Sequence, residues 1–300
     1  MTAKIVVVGS FNADLTTYME RMPKPGETVH GRKFVTGPGG KGSNQAVAAA
    51  RLVAQVTFIG CVGTDTFGDM ALRIWGQENI DTRHVKRDSE VATGVAPIFV
   101  DAHGENTIVV VLGANLSLLP ADIEALTAVI AGADMVLTQL EVRHETTAAA
   151  LRIAREQGIP TILNPAPAAA LDAETIALAQ YLTPNQSELT TLFGVDSAKL
   201  ADVPLATGQT LILTAGGEGA FWRSGDSSGQ VPIFPVEVVD TTGAGDAFNA
   251  GLAVALAEGQ PLDAALRFAN ATAALCVTRP GTANSMPQRS EVDALLAQYR

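Results

Sequence analysis

The chain has 300 residues, of which 47% are apolar, and this length and composition exclude both a peptide-sized module and a disordered polypeptide. It carries 31 Asp and Glu residues against 20 Lys and Arg residues, a formal net charge of −11. With no basic block, such a chain repels phosphate backbones and anionic lipids, so we expect neither a nucleic-acid partner nor a membrane partner. The two cysteines, Cys61 and Cys276, are far apart and lack CxxC partners, which predicts neither a disulfide framework nor a zinc cluster.

The first apolar run, Ile5 to Val8, ends at Gly9 and is too short for a signal peptide. The later apolar stretches are interrupted by Gly, Pro or charge before about 18 residues, the length at which a membrane helix becomes credible. We therefore expect a soluble protein of the reducing cytoplasm.

Short β-branched runs alternate along the chain with Ala- and Leu-rich stretches of helical period. The predicted strands are 5–8, 56–59, 135–137, 161–163 and 210–213, and the predicted helices are 44–52, 70–75, 121–130, 146–156 and 247–257. Further helices are predicted over 262–277 and 290–298. This alternation predicts an α/β fold with a mainly parallel sheet between layers of helices.

Two hairpins interrupt the alternation. Residues 15–19 and 28–35 flank a Pro- and Gly-containing turn, and residues 95–100 and 107–112 flank a second turn at 101–106. We expect these strands to form a small β-sheet lid inserted in the body, because inserted sheets usually cover a site or another subunit. The predicted division is a lid of 12–36 and 91–112, and a body of 1–11, 37–90 and 113–300 with a nucleotide site in its C-terminal half.

The segment 240–251 holds the sharpest motif, Asp-Thr-Thr-Gly-Ala-Gly-Asp, after a predicted strand at 236–239 and at the start of a long helix. Free N–H groups at a Gly-Ala-Gly helix start favour an anion such as a phosphoryl group in transfer. Asp246 in the first turn could accept the proton of an attacking hydroxyl. The alternative is an ordinary Gly-rich turn followed by an acidic first-turn residue.

Two familiar phosphate loops are excluded. In the Gly-rich segment 37–43, Lys41 is followed by Gly42 rather than Ser or Thr, and no strand is predicted to lead tightly into it. After the first strand, Gly9 lacks the second and third glycines of a dinucleotide-binding turn.

Polar groups follow the first strand and start the next helix: Asn12, Asp14, Gly40, Lys41 and Asn44. Because ligands of open α/β sheets bind at the carboxyl ends of the strands, this set of amides, carboxylate and ammonium predicts a polyol or sugar site. Turn chemistry and a tight helix start remain the alternative explanations.

The segments 39–46 (Gly-Gly-Lys-Gly-Ser-Asn-Gln-Ala) and 240–246 resemble the two signatures of the ribokinase family of sugar kinases. The order of features at 12–14, 164–167, 183–185 and 278–281 extends the resemblance over the whole chain. It implies a ribokinase-like three-layer α/β/α sandwich with a lid, and transfer of the ATP γ-phosphoryl group to the 5-hydroxyl of D-ribose.

The resemblance also implies roles for individual residues. Asp246 would be the base, and the anion hole would be the amides of Gly243, Ala244 and Gly245. The sugar would be held by Asn12, Asp14, Gly40, Lys41, Asn44, Glu141 and Asp246. The nucleotide would be held by Asn185, Glu188, Thr214, Gly216, Gly217, Gly219, Gly245 and Asn270, with Glu188 reaching Mg²⁺ through water. An activating K⁺ would lie near Asp240, Thr242, Cys276, Arg279, Gly281 and Ser285. The resemblance further implies a homodimer through the lid sheets.

Three alternative functions fit the same residues. The first is a deoxyribokinase, because deoxyribokinases are similar to this chain in the segment 94–100. We prefer a sugar that keeps its 2-hydroxyl because of the amide of Asn12. With a deoxy sugar this amide would be buried and unpaired, at a cost on the order of 1–3 kcal/mol. A nucleoside or sugar-phosphate kinase of the same family is a second alternative. A catalytically silent sugar or nucleotide sensor is the third, although such a protein would be free to lose Asp246. The chain also departs from the family's pattern at 194–209, where a segment with Pro204 and Gly208 is too short for the full helix that the family usually has there.

Overall fold

The computed structural model describes residues 2–299, without the side chains of residues 197 and 198. Its thirteen strands are β1 (Lys4–Val8), β2 (Asn12–Met19), β3 (Gly31–Gly39), β4 (Gln55–Gly63), β5 (Asp81–Asp88), β6 (Gly94–Val100), β7 (Asn106–Ile108), β8 (Met135–Thr138), β9 (Thr161–Leu163), β10 (Tyr181–Leu182), β11 (Thr210–Thr214), β12 (Ala220–Ser224) and β13 (Ser227–Val231). Its ten α-helices are α1 (Lys41–Arg51), α2 (Thr66–Gln77), α3 (Pro120–Glu124), α4 (Thr127–Ala131), α5 (His144–Glu156), α6 (Ala173–Leu178), α7 (Gln186–Phe193), α8 (Ala244–Ala257), α9 (Leu262–Cys276) and α10 (Arg289–Gln298).

A nine-stranded sheet forms the centre, in the order β13-β12-β11-β10-β9-β8-β1-β4-β5. The strands from β11 through β8 and β1 to β5 are parallel, and only β12 and β13 at one edge are antiparallel. Helices cover both faces. Ile5 and Val7 of β1 pack in the cluster that includes α1, α8 and α9, whereas Val6 and Val8 pack in the cluster that includes α3, α4 and α5. Because β1 is buried on both faces, its sequence is apolar throughout and does not alternate with polar residues. Helices on both faces of a mainly parallel sheet confirm the predicted three-layer α/β fold.

The predicted helix at 121–130 is two short helices, α3 and α4. The backbone leaves the helical region at Leu126, and the hydroxyl of Thr127 donates to the carbonyl of Glu124 at 2.8 Å. A threonine hydroxyl that donates a hydrogen bond to a carbonyl at the end of one helix favours the start of a second helix over continuation of the first.

Two expectations about the strands are wrong. Residues 236–239 form no strand: Val238 and Val239 are exposed, and the N–H of Val239 bonds the carbonyl of Val277 after α9 rather than a neighbouring strand. A strand does lead tightly into the glycine-rich segment, because β3 ends at Gly39, directly before Gly40 and α1. Lys41 is still followed by Gly42, so the segment still differs from the nucleotide P-loop.

The four-stranded sheet lies outside the central one and has the order β3-β2-β6-β7. Both predicted hairpins are present, since β2 pairs antiparallel with β3 and β6 with β7. The two hairpins are joined by parallel pairing of β2 with β6 over Asn12 to Tyr18. The sheet is therefore a single mixed unit.

The short segment at 194–209 contains one 3₁₀ helix, Ser197–Asp202, in place of a longer helix. Within the described residues, no helix is long and apolar enough to cross a membrane. Cys61 and Cys276 are both free and buried.

Candidate active site

The polar residues gather where the central strands end. β1 leads to Asn12, β8 is followed by Glu141, and the first turns of α1 and α8 supply Asn44 and Asp246. Gly40 makes the convergence possible: its φ is +85°, and a Cβ there would lie 2.6 Å from the backbone nitrogen of Asn12. Only glycine combines that dihedral with so close a backbone approach.

Asp246 lies at the centre of the group and is 6% exposed. Its Oδ2 accepts a hydrogen bond from Asn44 Nδ2 at 2.9 Å, and its Oδ1 accepts one from Gln45 Nε2 at 2.9 Å. Two adjacent residues of α1 therefore fix both oxygens of the carboxylate. Each oxygen keeps a further lone pair, so the group can still accept a substrate proton.

Glu141 is a second buried carboxylate, held at the start of α1. Its Oε2 accepts from the backbone N–H of Lys41 at 2.9 Å, from Asn12 Nδ2 at 3.3 Å and from the hydroxyl of Ser10. A carboxylate at a helix N-terminus satisfies an N–H group that has no partner within the helix.

Asn12 is buried and paired inside the protein. Besides the bond to Glu141, its Oδ1 accepts from Asn115 Nδ2 at 2.9 Å, and Asn115 also bonds the backbone N–H and carbonyl of Phe11. The protein thus satisfies Oδ1 and one Nδ2 hydrogen of Asn12, which lowers the cost of leaving the amide without a 2-hydroxyl, and the second Nδ2 hydrogen can still donate to a ligand.

Asp14 faces the same space from β2. Burial, reinforced by the nearby charges of Glu141 and Asp246 and opposed by a hydrogen bond from Thr282, raises the pKa of Asp14 to about 7. Burial opposes the charge on the Lys41 ammonium, but the surrounding carboxylates, Asp246 foremost, outweigh it and raise the pKa of Lys41. The pocket thus combines one cation with several acidic groups, which suits a neutral polyhydroxyl ligand better than an anionic one.

The segment that opens α8 offers backbone donors. Gly243 caps the helix with a φ of +80°. Its own N–H and that of Gly245 have no acceptor among residues 2–299, whereas the N–H of Ala244 bonds the carbonyl of Thr241 at 3.2 Å. Two of the three predicted anion-hole amides are therefore free for a ligand, and the third is engaged within its own turn.

The residues predicted for the nucleotide lie at the ends of β10 and β11. Asn185 and Glu188 form a reciprocal cap at the start of α7, with Asn185 N–H to Glu188 Oε2 at 2.8 Å and Glu188 N–H to Asn185 Oδ1 at 2.9 Å. Burial raises the pKa of Glu188, an effect that the cap and the Lys41 charge oppose. The turn of Gly216, Gly217 and Gly219 follows Thr214 at the end of β11.

Asn270, on α9, lies near that turn: a Cβ at Gly219 would lie 2.2 Å from the carbonyl oxygen of Val231, which Asn270 also contacts. Its Nδ2 donates to the carbonyls of Val231 and Pro232 at 2.9 and 3.0 Å. Its amide donors are therefore occupied by the backbone that follows β13, which leaves only its carbonyl oxygen for a ligand.

The residues predicted for a monovalent cation lie close together behind the α8 segment. Asp240 Oδ1 accepts from the N–H and hydroxyl of Thr242, and its Oδ2 accepts from the N–H of Gly281 at 2.9 Å. The thiol of Cys276 lies 3.1 Å from the Ser285 hydroxyl and 3.9 Å from the Thr242 carbonyl.

These carbonyl, hydroxyl and carboxylate oxygens are the donor set that K⁺ prefers, so the segment fits such an ion. Arg279 fits only through its backbone, because its guanidinium pairs with Glu291 of α10. Across residues 2–299, no group of three or more His, Cys, Asp or Glu side chains could hold a metal ion.

Comparison with known proteins identifies the family. The profile of the pfkB family of carbohydrate kinases matches residues 2–289. The chain belongs to the pfkB carbohydrate kinase family. This kinase is 46% identical to the ribokinase of Bacillus subtilis over 297 residues, covering 98% of this chain and 99% of the relative. It is 38% identical to the deoxyribokinase of Salmonella typhi over 304 residues, covering 98% of each chain. The structure of Arabidopsis thaliana ribokinase complexed with ribose and ATP matches it with a TM-score of 0.91 at 33% identity, over 99% of each chain. The family assignment and the ribokinase-like fold predicted from the motifs are confirmed.

Several residues that build the site of this kinase have contacts that the motifs did not predict. Gln45 stood inside the quoted motif, yet its contact with Asp246 was not foreseen. Asn164 accepts from Gln45 Nε2 at 3.1 Å, and the hydroxyl of Thr183 donates to Asn249 Oδ1 at 2.6 Å. Asn164 directly follows the predicted strand at 161–163, and a buried polar side chain at a strand end needs a partner, which was the available signal. Thr183 follows β10, which the sequence did not predict.

Proposed function

We propose that the chain transfers the γ-phosphoryl group of ATP to the 5-hydroxyl of D-ribose, giving D-ribose 5-phosphate and ADP. The observation that carries the proposal is the buried carboxylate of Asp246, fixed by Asn44 and Gln45 and one residue after the free N–H of Gly245. A proton acceptor beside an anion-binding helix start is the pair of features that phosphoryl transfer to an alcohol requires. The ribokinase relatives support ribose as the acceptor.

In this mechanism the 5-oxygen of the sugar attacks the γ-phosphorus while Asp246 takes the hydroxyl proton. The bond from the γ-phosphorus to the bridging oxygen breaks, and its electron pair leaves with ADP. The N–H groups of Gly243 and Gly245 face the charge that develops on the transferred group, and Ala244 joins them if its turn opens. Fixed donors at such a point stabilise the transition state without reorganisation.

The sugar would lie between the carboxylates, with its ring hydroxyls on Asn12, Asp14, Glu141 and Asn44. Gly40 and Lys41 would contribute the start of α1. Asn44 Oδ1 is buried without a hydrogen-bond partner in the described residues, so it offers an acceptor for a sugar hydroxyl.

ATP would occupy the edge formed by α7 and the turn after β11. Its contacts would be Asn185, Glu188, Thr214, Gly216, Gly217, Gly219, Gly245 and Asn270. Mg²⁺ on the phosphates, reached through water by Glu188, would neutralise phosphate charge. K⁺ near Asp240, Thr242, Cys276, Arg279, Gly281 and Ser285 would add positive field beside the anion hole.

The four-stranded sheet would act as a lid of 12–36 and 91–112 over the rest of the chain. The strand register places the exposed apolar side chains of Tyr18, Val35 and Ile108 on one face of this sheet. Exposed apolar surface of this extent is typical of an interface, and it supports a homodimer through the lid sheets. The acidic net charge of the chain and its free, buried cysteines are typical of a cytoplasmic protein, and we propose that location.

A second candidate substrate is 2-deoxyribose, because the internal bonds of Asn12 lower the cost of a missing 2-hydroxyl beside this amide. Deoxyribokinase is also among the relatives. Both sugars use the same chemistry, so the choice between them is a matter of the ratio of specificity constants.

The deciding experiment measures ADP release from MgATP with the purified protein. The acceptors are ribose, 2-deoxyribose, fructose 6-phosphate and adenosine, each with and without K⁺. We expect ribose-selective turnover that K⁺ stimulates. Preference for deoxyribose would replace the substrate and keep the mechanism, and no turnover on any acceptor would favour another substrate or the sensor hypothesis.

A further inference from the structure

Thr282 lies where the last third of the chain meets the four-stranded sheet. It follows Gly281 and precedes the 3₁₀ turn Ala283–Ser285. Its hydroxyl lies 2.6 Å from the carbonyl oxygen of Pro38 in β3 and 3.1 Å from Oδ2 of Asp14 in β2. One side chain therefore contacts both strands of the first hairpin, across sequence separations of 244 and 268 residues.

The opposite side of Thr282 faces the α8 segment. A Cβ at Gly243 would lie 3.5 Å from the Thr282 Cα, so the two backbones are in close contact. The preceding residue, Gly281, donates its N–H to Asp240, which also holds Thr242. Thr282 is thus tied to the segment that carries the free N–H groups, while its hydroxyl reaches the pocket carboxylate.

A single hydroxyl proton has two acceptors at this point. If the proton goes to Pro38, the nearer of the two, Asp14 receives nothing from Thr282 and remains ready to accept from a ligand hydroxyl. If it goes to Asp14, the Pro38 carbonyl loses its bond and the hairpin loses a tie to the body. A ligand hydroxyl that donates to Asp14 releases the Thr282 proton for Pro38.

We propose that Thr282 is a positioning residue that couples sugar binding at Asp14 to attachment of the first hairpin, through its bond to the Pro38 carbonyl. This coupling rests on the proposed sugar kinase function. Thr282 touches neither the transferred group nor the nucleotide in this scheme. It acts through Asp14 and Pro38, and its removal weakens sugar binding rather than chemistry.

The matched variants are Thr282→Val, which keeps the shape and removes the hydroxyl, and Thr282→Ser, which keeps the hydroxyl. We expect Thr282→Val to raise KM for ribose about fivefold, the effect of one hydrogen bond to an uncharged carbonyl, with KM for ATP and kcat within about twofold of the parent. Thr282→Ser should remain within about twofold of the parent in all three constants. A Thr282→Val protein with the KM of Thr282→Ser would overturn the proposal.

Amide hydrogen exchange supplies a readout that does not depend on turnover. Ribose should slow exchange of the β3 amides in the parent and in Thr282→Ser, and should have at most half that effect in Thr282→Val. The amides of β4 are the internal control for global stability. Equal ribose protection of β3 in the two variants would overturn the coupling. If the parent phosphorylates none of the tested acceptors, the proposed function fails. Amide exchange of β3 without ligand still tests the bond between Thr282 and the Pro38 carbonyl, because Thr282→Val, unlike Thr282→Ser, should accelerate that exchange.

Discussion

The Nε2 group of Gln45 lies 2.9 Å from Oδ1 of Asp246 and 3.1 Å from Oδ1 of Asn164, so one amide joins the carboxylate on α8 to the end of β9. The Oε1 of Gln45 accepts in turn from Gln139, after β8. A buried amide held at both ends has little freedom to rotate, and it therefore sets the direction of the Asp246 carboxylate.

Replacement of Gln45 by Met keeps the length of the side chain and removes the donor. We expect kcat to fall about tenfold or more, the value of a hydrogen bond to a charged group, while KM for the sugar stays within about threefold. Steady-state kinetics check this, with thermal unfolding to confirm the fold. Unchanged kcat in a folded variant would show that Gln45 does not orient the carboxylate.

Replacement of Asp246 by Asn removes the proposed base and preserves the volume. Turnover should fall by at least about a hundredfold, the usual contribution of a general base, while ribose binding measured by calorimetry is nearly intact. Asp263→Asn, at an exposed first-turn position of α9, is the matched control and should leave both quantities unchanged. Near-parental turnover in Asp246→Asn would remove the base assignment.

Asn115 supports the junction between β1 and β2. Its side chain bonds Phe11 N–H and O, Asn12 Oδ1 and the carbonyl of Leu112. Asn115→Ala leaves these groups unpaired and should lower the free energy of unfolding by about 3 kcal/mol. Urea denaturation measures the change, and Asn106→Ala, at an exposed position in β7, should cost less than about 0.5 kcal/mol. Similar losses in the two variants would contradict the role of Asn115.

Stability should depend on pH through Asp14. Its pKa of about 7 lies above the ordinary 3.8, so the fold favours the protonated carboxyl. The resulting stabilisation is complete below about pH 4 and is lost as pH rises through 7. The Tm of the ligand-free protein should therefore fall between pH 5 and pH 7.5 by more than the Tm of Asp14→Asn, which cannot ionise there. The charges that face Asp14 are Glu141 and Asp246, and both are retained in the variant. Parallel pH profiles of the parent and the variant would exclude Asp14 as the source.

Asn12→Met tests the choice of sugar. Methionine cannot donate to a 2-hydroxyl, so kcat/KM for ribose should fall relative to kcat/KM for 2-deoxyribose. Because Asn12 also bonds Glu141 and Asn115, both values should decrease, and the ratio is the informative quantity. A ratio equal to that of the parent would show that Asn12 serves the packing of the site alone.

The sequence predicts the parts of this fold that follow from local patterns. The buried strand β1 and the two hairpins are marked by apolar runs and by turn residues, and Asp246 is marked by the glycines before it. Edge strand β5, Asp-Thr-Arg-His-Val-Lys-Arg-Asp, lacks an apolar pattern and was not foreseen. Residues 236–239 have strand-like composition but no neighbouring strand to pair with, because composition does not specify a partner.

The site is less predictable than the fold because its contacts cross the chain. The motifs supplied Asp246, Asn44 and Asn12 as candidates. The partners Asn115, Asn164 and Thr282 were outside every role we assigned, and only their tertiary placement brings them to the pocket. The sequence around an Asn or Thr residue does not indicate which carboxylate or carbonyl that residue contacts in the folded protein.

The contact between Asp14 and Thr282 also bears on how the protein matures. The pocket takes residues from near both ends of the chain, and β1, the strand that leads to Asp14, pairs with β8, more than a hundred residues later. Loop closure over such distances is slow, so these contacts form late in folding. During synthesis from the N-terminus, a partly made chain exposes β2 and β3 without their attachment to residue 282. The proposed sugar pocket is therefore completed only after residue 282 has been made, and a chain that stops before it lacks the hydroxyl that contacts Asp14 and Pro38.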